Sequence, residues 1–260
     1  MAKKTPVTRA VVTPDKHFPL ADLPAIKVLC KTIEIVKPDI YIDLGDVGEW
    51  HGCSHWQWKK KKRPPIEYQL PFIDQDIKDV NSGIDIIDES LDKVNCKDKY
   101  MIEGNHDDWM NRFVEENPYL GQYRFKECVR LKDRGYTYVP IVGDYLKIGK
   151  LNFYHGHHFG GMHHTRTHLI RLGANVMYGH WHDLQQSSVT HMDGVKSAWS
   201  IGCLKDMSIE QNAWLGGRKI NWSHAFSIVD FFEDGYFTVH VIEIIKGKTS
   251  LWGEVLDGNN

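Results

Sequence analysis

Five short polar clusters, each set directly after an apolar run of strand length, constrain this chain more than any other feature. They are Asp15-Lys16-His17, Gly45-Asp46, Gly104-Asn105-His106-Asp107, His155-Gly156 and Gly179-His180-Trp181-His182. The runs that precede them are Arg9 to Thr13, Ile40 to Leu44, Tyr100 to Ile102, Leu151 to Tyr154 and Asn175 to Tyr178. A compact apolar run that empties into a polar loop reads as a strand buried on both faces. Open α/β sheets gather such strand-end loops at one edge, so this pattern predicts an α/β fold in which the five clusters meet. Between the first two runs, Ile26, Leu29, Ile33 and Val36 fall at helical spacing before Lys37-Pro38. That βαβ opening predicts parallel strands.

The remaining elements follow from periodicity and turn chemistry. Ile73, Ile77, Val80, Ile84, Ile87, Leu91 and Val94 repeat at four-three spacing, which predicts a long helix over 71–94 despite Gly83. Its apolar seam is narrow enough to pair with a second copy of the chain as a homodimer, and packing against the sheet explains it as well. Residues 50–70, aromatic and basic and carrying Pro64-Pro65, read as an inserted loop. Helices are expected over Asp107 to Glu116 and over 163–172, and strands over Tyr136 to Val142 and Tyr145 to Ile148. Hairpins are expected around Asp193-Gly194, with arms Val189 to His191 and Val195 to Ile201, and around Glu233-Asp234-Gly235, with arms Phe226 to Phe232 and Tyr236 to Ile245. A chain of 260 residues, 42% hydrophobic, can build this as a single domain over 1–260.

Charge and cysteine content narrow the function. The 32 basic residues nearly cancel the 34 acidic ones, so no global field draws the chain to nucleic acid or to a membrane, and any such affinity must be local. Five scattered cysteines without a CxxC pair fit a reducing compartment. No apolar leader opens the chain, and no run nears the ~18 apolar residues of a membrane span, so a cytoplasmic location without a membrane partner is expected.

Taken one at a time, the clusters are weak signals, because DxH, a Gly-Asp turn and a surface His-x-His all arise by chance. As a converging set they would offer two Asp, one Asn and four His. That mixture of oxygen and nitrogen donors, free of thiolates, suits Mn2+, Fe or Zn2+. In their order, DxH, GD, GNHD, a lone His and GHxH, the clusters resemble the calcineurin-like metallophosphoesterases, and the likeness runs from Asp15 to His182. The resemblance implies a two-sheet β-sandwich flanked by helices, in four layers α/β/β/α. It also implies two divalent metal ions, Mn2+ favoured, with Fe, Zn2+, Ni2+ or Mg2+ compatible. Asp15, His17 and His182 would hold one, Asn105, His155 and His180 the other, with Asp46 bridging them and a shared water serving as nucleophile. His106 would bind a phosphate oxygen and protonate the leaving group.

Some residues depart from the pattern of the protein-phosphatase branch of that family. GDxxD becomes GDVGE, so Glu49 takes the place of the Asp that orients the catalytic His, the following Arg is replaced by Trp50-His51, and GNHE becomes GNHD. These changes count against a protein Ser/Thr phosphatase. Trp50, Trp56 and Trp58 beside Lys59 to Arg63, Lys60 among them, suit stacking on bases while gripping phosphates, although a solvated loop explains them too. His157, His158, His163, His164 and His168 around the fourth cluster either line a substrate rim, with His157 as a contact, or belong to a polar loop. Asp183 is a candidate acceptor from a ligand His. The reading favoured is a phosphodiesterase acting on DNA, RNA or nucleotides. The alternatives are a phosphomonoesterase or nucleotide pyrophosphohydrolase and, from another class, a nucleic-acid-binding module with a structural metal site.

Overall fold

The parallel opening forms as its apolar runs dictate. In a computed structural model that describes residues 7–54, 61–143 and 145–260, β1 (Thr8–Thr13) pairs in parallel with β2 (Ile40–Asp43) across α1 (Leu23–Val36). Asp22 caps α1 by accepting from the Ala25 N–H, and Lys37, in the left-handed region, ends it just before Pro38. Next come α2 (Ile66–Lys93), β3 (Asp98–Ile102), α3 (Asp107–Glu116), α4 (Phe125–Cys128) and β4 (Tyr136–Val139). They are followed by β5 (Leu146–Ile148), β6 (Leu151–Phe153), α5 (His164–Leu172), β7 (Val176–Tyr178), β8 (Leu184–His191) and β9 (Gly194–Ile201). The C-terminal part holds β10 (His224–Phe231), β11 (Phe237–Ile244), β12 (Lys248–Leu251) and β13 (Glu254–Asp257).

The strands form a six-stranded sheet, ordered β11-β10-β1-β2-β3-β4, a five-stranded sheet, ordered β5-β6-β7-β9-β8, and the ribbon β12-β13. In the first sheet β1 to β4 run parallel, and β10 and β11 add antiparallel strands. In the second, β6, β7 and β9 are parallel while β5 and β8 are antiparallel edges. Alternation along the strands explains why the central runs are wholly apolar. Val11, Tyr41 and Met101 enter a core shared with α1, α2 and α3, while Ala10, Val12, Ile40, Ile42 and Ile102 enter a second core. Leu151, Phe153, Met177, Trp199 and Ile201 of the other sheet complete that second core, so the two sheets pack on one another through it. A third, smaller core joins Leu169 of α5 to Val176, Tyr178 and Ala198 on the far side of the second sheet.

Three expectations need correction. Helix α2 starts at Ile66, five residues before the predicted 71, so the inserted segment is shorter than 50–70. Pro65, with extended φ and ψ, precedes it, and Pro71 falls early enough in the helix that its missing N–H removes only one bond near the start. Gly83, read as a weakness, is a contact: a Cβ there would lie 2.3 Å from the Phe18 ring. Strand β8 starts at Leu184 instead of Val189, because the polar run LQQSS pairs along an edge without an apolar signal, and β12 and β13 were hidden for the same reason. The α2 seam is spent internally, since Ile73, Val80, Ile84, Ile87 and Leu91 all lie in the first core. Among the described residues no helix is long and apolar enough to cross a membrane.

Candidate metal centre

The seven side chains predicted as ligands come from five separate loops and converge. His17 Nε2 lies 3.2 Å from His182 Nε2, and His182 Nε2 lies 3.5 Å from Asp15 Oδ1. A second cluster places His155 Nε2 2.9 Å from Asn105 Oδ1, 3.1 Å from His180 Nδ1 and 3.4 Å from Asp46 Oδ2. Asp46 Oδ2 is also 3.8 Å from His17 Nε2, so this one carboxylate faces both clusters. Asp15, His17, Asp46, His155 and His182 are buried, while Asn105 and His180 are partly exposed on one side. Groups Asp15-His17-His182 and Asp46-His155-His180 each bring their donor atoms within 4.8 Å of one another and could each hold a metal ion. The chemistry fits. Donors bound at ~2.0–2.2 Å to one ion stand roughly 3.0–3.5 Å from each other, and the separations within the two clusters, 2.9 to 3.5 Å, are close to that range.

The local backbone is built around these contacts. His17, Asp46, His180 and His182 sit at φ of 52°, 48°, 66° and 60°. Each such left-handed non-glycine residue costs on the order of 1 kcal/mol, and strain kept at four ligand positions points to function. The glycines of the motifs answer to close approach. A Cβ on Gly104 would lie 2.1 Å from Asp46 Oδ1, and one on Gly179 would lie 2.0 Å from Asp15 Oδ2. Main-chain donors complete the hold: His106 N–H binds Asp46 Oδ1 at 2.8 Å, and His180 N–H binds Asp15 at 2.8 and 2.9 Å.

Charge is distributed unequally. Burial would raise Asp15, but its bond to His182 and the charges of His182 and His155 hold it below the usual range. Burial likewise opposes Asp46, yet the surrounding His155, His106 and His17 keep it well below. Burial pulls His155 down, while Asp46 and then Asp15 outweigh it and lift His155 to about 9. Burial drives His17 to about 4 against the pull of Glu49, and drives His180 to about 3 with help from His155.

His106 stands beside the cage, its ring 4.7 Å from that of His17 and stacked on Trp109 at 3.9 Å. The expectation that the Glu49 carboxylate orients His106 is corrected. His106 Nδ1 lies 3.2 Å from the Glu49 main-chain carbonyl, whereas Glu49 Oε2 stands 2.8 Å from His17 Nδ1 and accepts from the buried Lys205 ammonium at 2.8 Å. The Phe18–Gly48 bridge brings Glu49 alongside His17 instead. Burial would raise Glu49, but His17 and then Lys205 hold its carboxyl far below the usual range.

Other candidates scatter. Asp183 accepts from His164, Gln185 and Ser200 and from no ligand histidine, and its role as acceptor from one is withdrawn. His164 and His168 are buried where α5 meets β7, His164 bonded to Tyr178 Oη at 2.7 Å and His168 stacked on Tyr178 at 4.0 Å, so neither lines a rim. His163 and His158 are exposed. His157 sits next to the second cluster, its ring 6.1 Å from His155 and its buried Nδ1 without a hydrogen-bond partner among the described residues. Trp50 is fully buried, donating Nε1–H to Asp107 at 2.8 Å, and is no stacking platform. Trp56, Trp58 and Lys60 lie outside the described residues.

Sequence reasoning missed three groups. Asp107 accepts from Trp50 Nε1, from the Gly104 N–H at 3.0 Å and from the Val47 and Gly48 N–H groups at 3.4 Å, which ties the second polar loop to the third. Burial first, then Asp46, pushes it up to about 8 against those donors. Lys16 and Asp43 form a buried pair at 2.7 Å beneath the first two loops, and Lys205 neutralises Glu49. The charged residues inside DKH and GNHD were the only signal, since a charge within a buried motif demands a partner.

No family model matches the chain. Its relatives include the Gene 54 proteins of Mycobacterium phages D29 and L5, each 24% identical across 95% of this chain and 98% of its own. One solved structure superposes on 90% of this chain and 99% of its own with a TM-score of 0.41 and 8% identity, too loosely to carry an argument.

Proposed function

We propose that the chain is a phosphoesterase of the calcineurin-like class, taking two divalent cations, Mn2+ first among them, and hydrolysing phosphodiesters of nucleic acid or nucleotides. One observation carries the reading: seven side chains from five loops, in the order of that family's motifs, stand at ligand-to-ligand distances around a shared carboxylate, Asp46. The sheets packed face to face with helices outside each agree with the four-layer sandwich of the class. All five cysteines are unpaired, in keeping with a cytoplasmic setting.

Bound cations would supply Lewis acidity toward an attacking water and toward the phosphate oxygens. The chain's own residues do the rest. Glu49 and the Leu44 carbonyl, 2.9 Å from His155 Nδ1, fix the rings of His17 and His155 so that each turns Nε2 to the cage. His106, with Nδ1 directed at a carbonyl, has Nε2 left to meet a phosphate oxygen and to deliver a proton to the departing oxygen.

Hydrolysis of bis(p-nitrophenyl) phosphate and of p-nitrophenyl phosphate, with and without Mn2+, tests the proposal. Metal-stimulated turnover that favours the diester is the result expected. A preference for the monoester would move the assignment to a phosphomonoesterase or pyrophosphohydrolase. Salt-sensitive DNA binding with no metal-stimulated hydrolysis would overturn it in favour of a binding module with a structural metal.

A further inference from the structure

A trough of about 710 Å³ runs between the start of α5 and strand β8. It opens close to the first half of the cage. The His182 carbonyl accepts from the Ser223 N–H at 2.9 Å, the Asp183–Trp222 bridge comes next, and Leu184 and Asn221, one step further along the two antiparallel segments, line the trough. At ~3.3 Å of rise per residue, the trough begins about 7 Å from His182 along that ribbon. Trp222 packs its ring 4.5 Å from that of His182, and Trp214 lies 6.3 Å beyond it, 66% exposed.

The lining of the trough selects its occupant. His163, Arg166, Gln186 and Asn221 on its walls are exposed, and their side chains have no hydrogen bond or ion pair among the described residues. None of the lining residues is acidic, although acids outnumber bases 34 to 32 in the chain, and the nearby carboxylate of Asp183 is taken up by His164, Gln185 and Ser200. An uncompensated guanidinium suits a phosphate, and free amides suit base edges. The exposed indole of Trp214 offers a π-face to an unpaired base, whereas a duplex keeps its bases stacked on one another and presents mainly phosphate and sugar. A mononucleotide held at the cage by its phosphate would leave unused a trough as large as the ~300–1,000 Å³ clefts that enclose drug-sized ligands. We infer that the trough and Trp214 carry the part of a single-stranded polynucleotide that flanks the scissile phosphate, with Trp214 stacking a base and Arg166 holding a backbone phosphate. The inference rests on the phosphoesterase reading and narrows it from nucleic acid or nucleotides to unpaired strands longer than a dinucleotide. Arg166 and Trp214 are its specificity-determining residues.

The test compares kcat/KM, with Mn2+, on a single strand of about twelve nucleotides and on a dinucleotide. Stacking of one base predicts a preference for the strand of about fivefold to a hundredfold, which shrinks toward unity in Trp214→Ala and falls in Arg166→Gln. Both side chains are exposed, so neither variant threatens the fold. Anisotropy of the labelled strand on protein freed of metal by chelation gives a reading apart from turnover: Arg166→Gln lessens the slope of log affinity against log salt by about 0.7. Equal rates on strand and dinucleotide in the wild type, or a preference and a salt slope unchanged in both variants, overturn the trough while hydrolysis itself upholds the phosphoesterase reading. Faster cleavage of the same sequence as a duplex overturns the single-strand assignment in the same way. Hydrolysis of neither substrate, nor of bis(p-nitrophenyl) phosphate, overturns both.

Discussion

The two halves of the candidate centre present similar donors but hold them by different means. In the Asp15-His17-His182 half, His17 is oriented by a side chain, Glu49, which is itself anchored by the buried Lys205. In the Asp46-Asn105-His155-His180 half, His155 is oriented by the main-chain carbonyl of Leu44, at the end of a central strand. The first half is thus open to substitution at a distance from the ligands, and the second is not. Proton affinity differs in the same sense. Burial prevails over Glu49 at His17 and leaves it neutral, whereas Asp46 prevails over burial at His155 and leaves it charged near neutral pH. One type of side chain, equally buried in two settings within a few ångströms, is therefore shifted in opposite directions, the difference lying in the charged neighbours.

The largest expected effect lies outside both halves. His106→Ala lowers turnover ~10²–10⁴-fold, the scale of general acid catalysis, while elemental analysis finds the metal content of the wild type. Loss of metal together with turnover would make His106 a ligand of the cage instead.

Next is the contrast in proton affinity, read in protein freed of metal by chelation. A His whose folded pKa is about 9 against 6.5 stabilises the fold fully below 6.5 and loses that contribution as pH climbs through about 9. The gap in stability between wild type and His155→Gln should therefore be widest near pH 6, about 3 kcal/mol, and close by roughly pH 10. His17, held to about 4, costs the fold stability as pH falls from 6.5 toward 4, so His17→Gln should gain on the wild type over that window. Melting curves that shift in parallel for the two variants would erase the distinction.

Above about pH 8, where the Asp107 carboxyl is ionised, Asp107→Asn keeps the shape of the tie between the second and third loops but halves its acceptor oxygens. With four N–H groups to satisfy, the variant should lose about 2 kcal/mol in chemical denaturation, and an unchanged midpoint would show that the tie is dispensable. Glu49→Gln is the mildest change and the sharpest for the comparison. It should weaken the first of two metal affinities ~10–100-fold and leave the second alone; equal weakening of both in a calorimetric titration would mean that the halves share their support.

Much of the centre was legible because its signals are local: a strand, a glycine, a ligand, repeated. The order of Asp15, Asp46, Asn105, His155 and His182 along the chain was enough to suggest their meeting, and α3 could be read to its ends from Asp107 to Glu116. What stayed hidden was nonlocal. Nothing near Glu49 says that its partners are His17 and Lys205, the latter 156 residues away. The histidines of α5 carry the same letters as the ligands, and only packing against Tyr178 and Asp183 separates them. The role of Gly83 depends on Phe18, and the start of β8 depends on a partner strand, so neither could be read from its own segment.

Titration of metal-free protein with Mn2+, followed by elemental analysis after desalting and by diffraction from the loaded crystal, tests the central claim most directly. About two ions per chain are expected, one among Asp15, His17 and His182, the other among Asn105, His155 and His180, with Asp46 touching both. A chain that retains no ion, or binds it away from these side chains, would contradict the account.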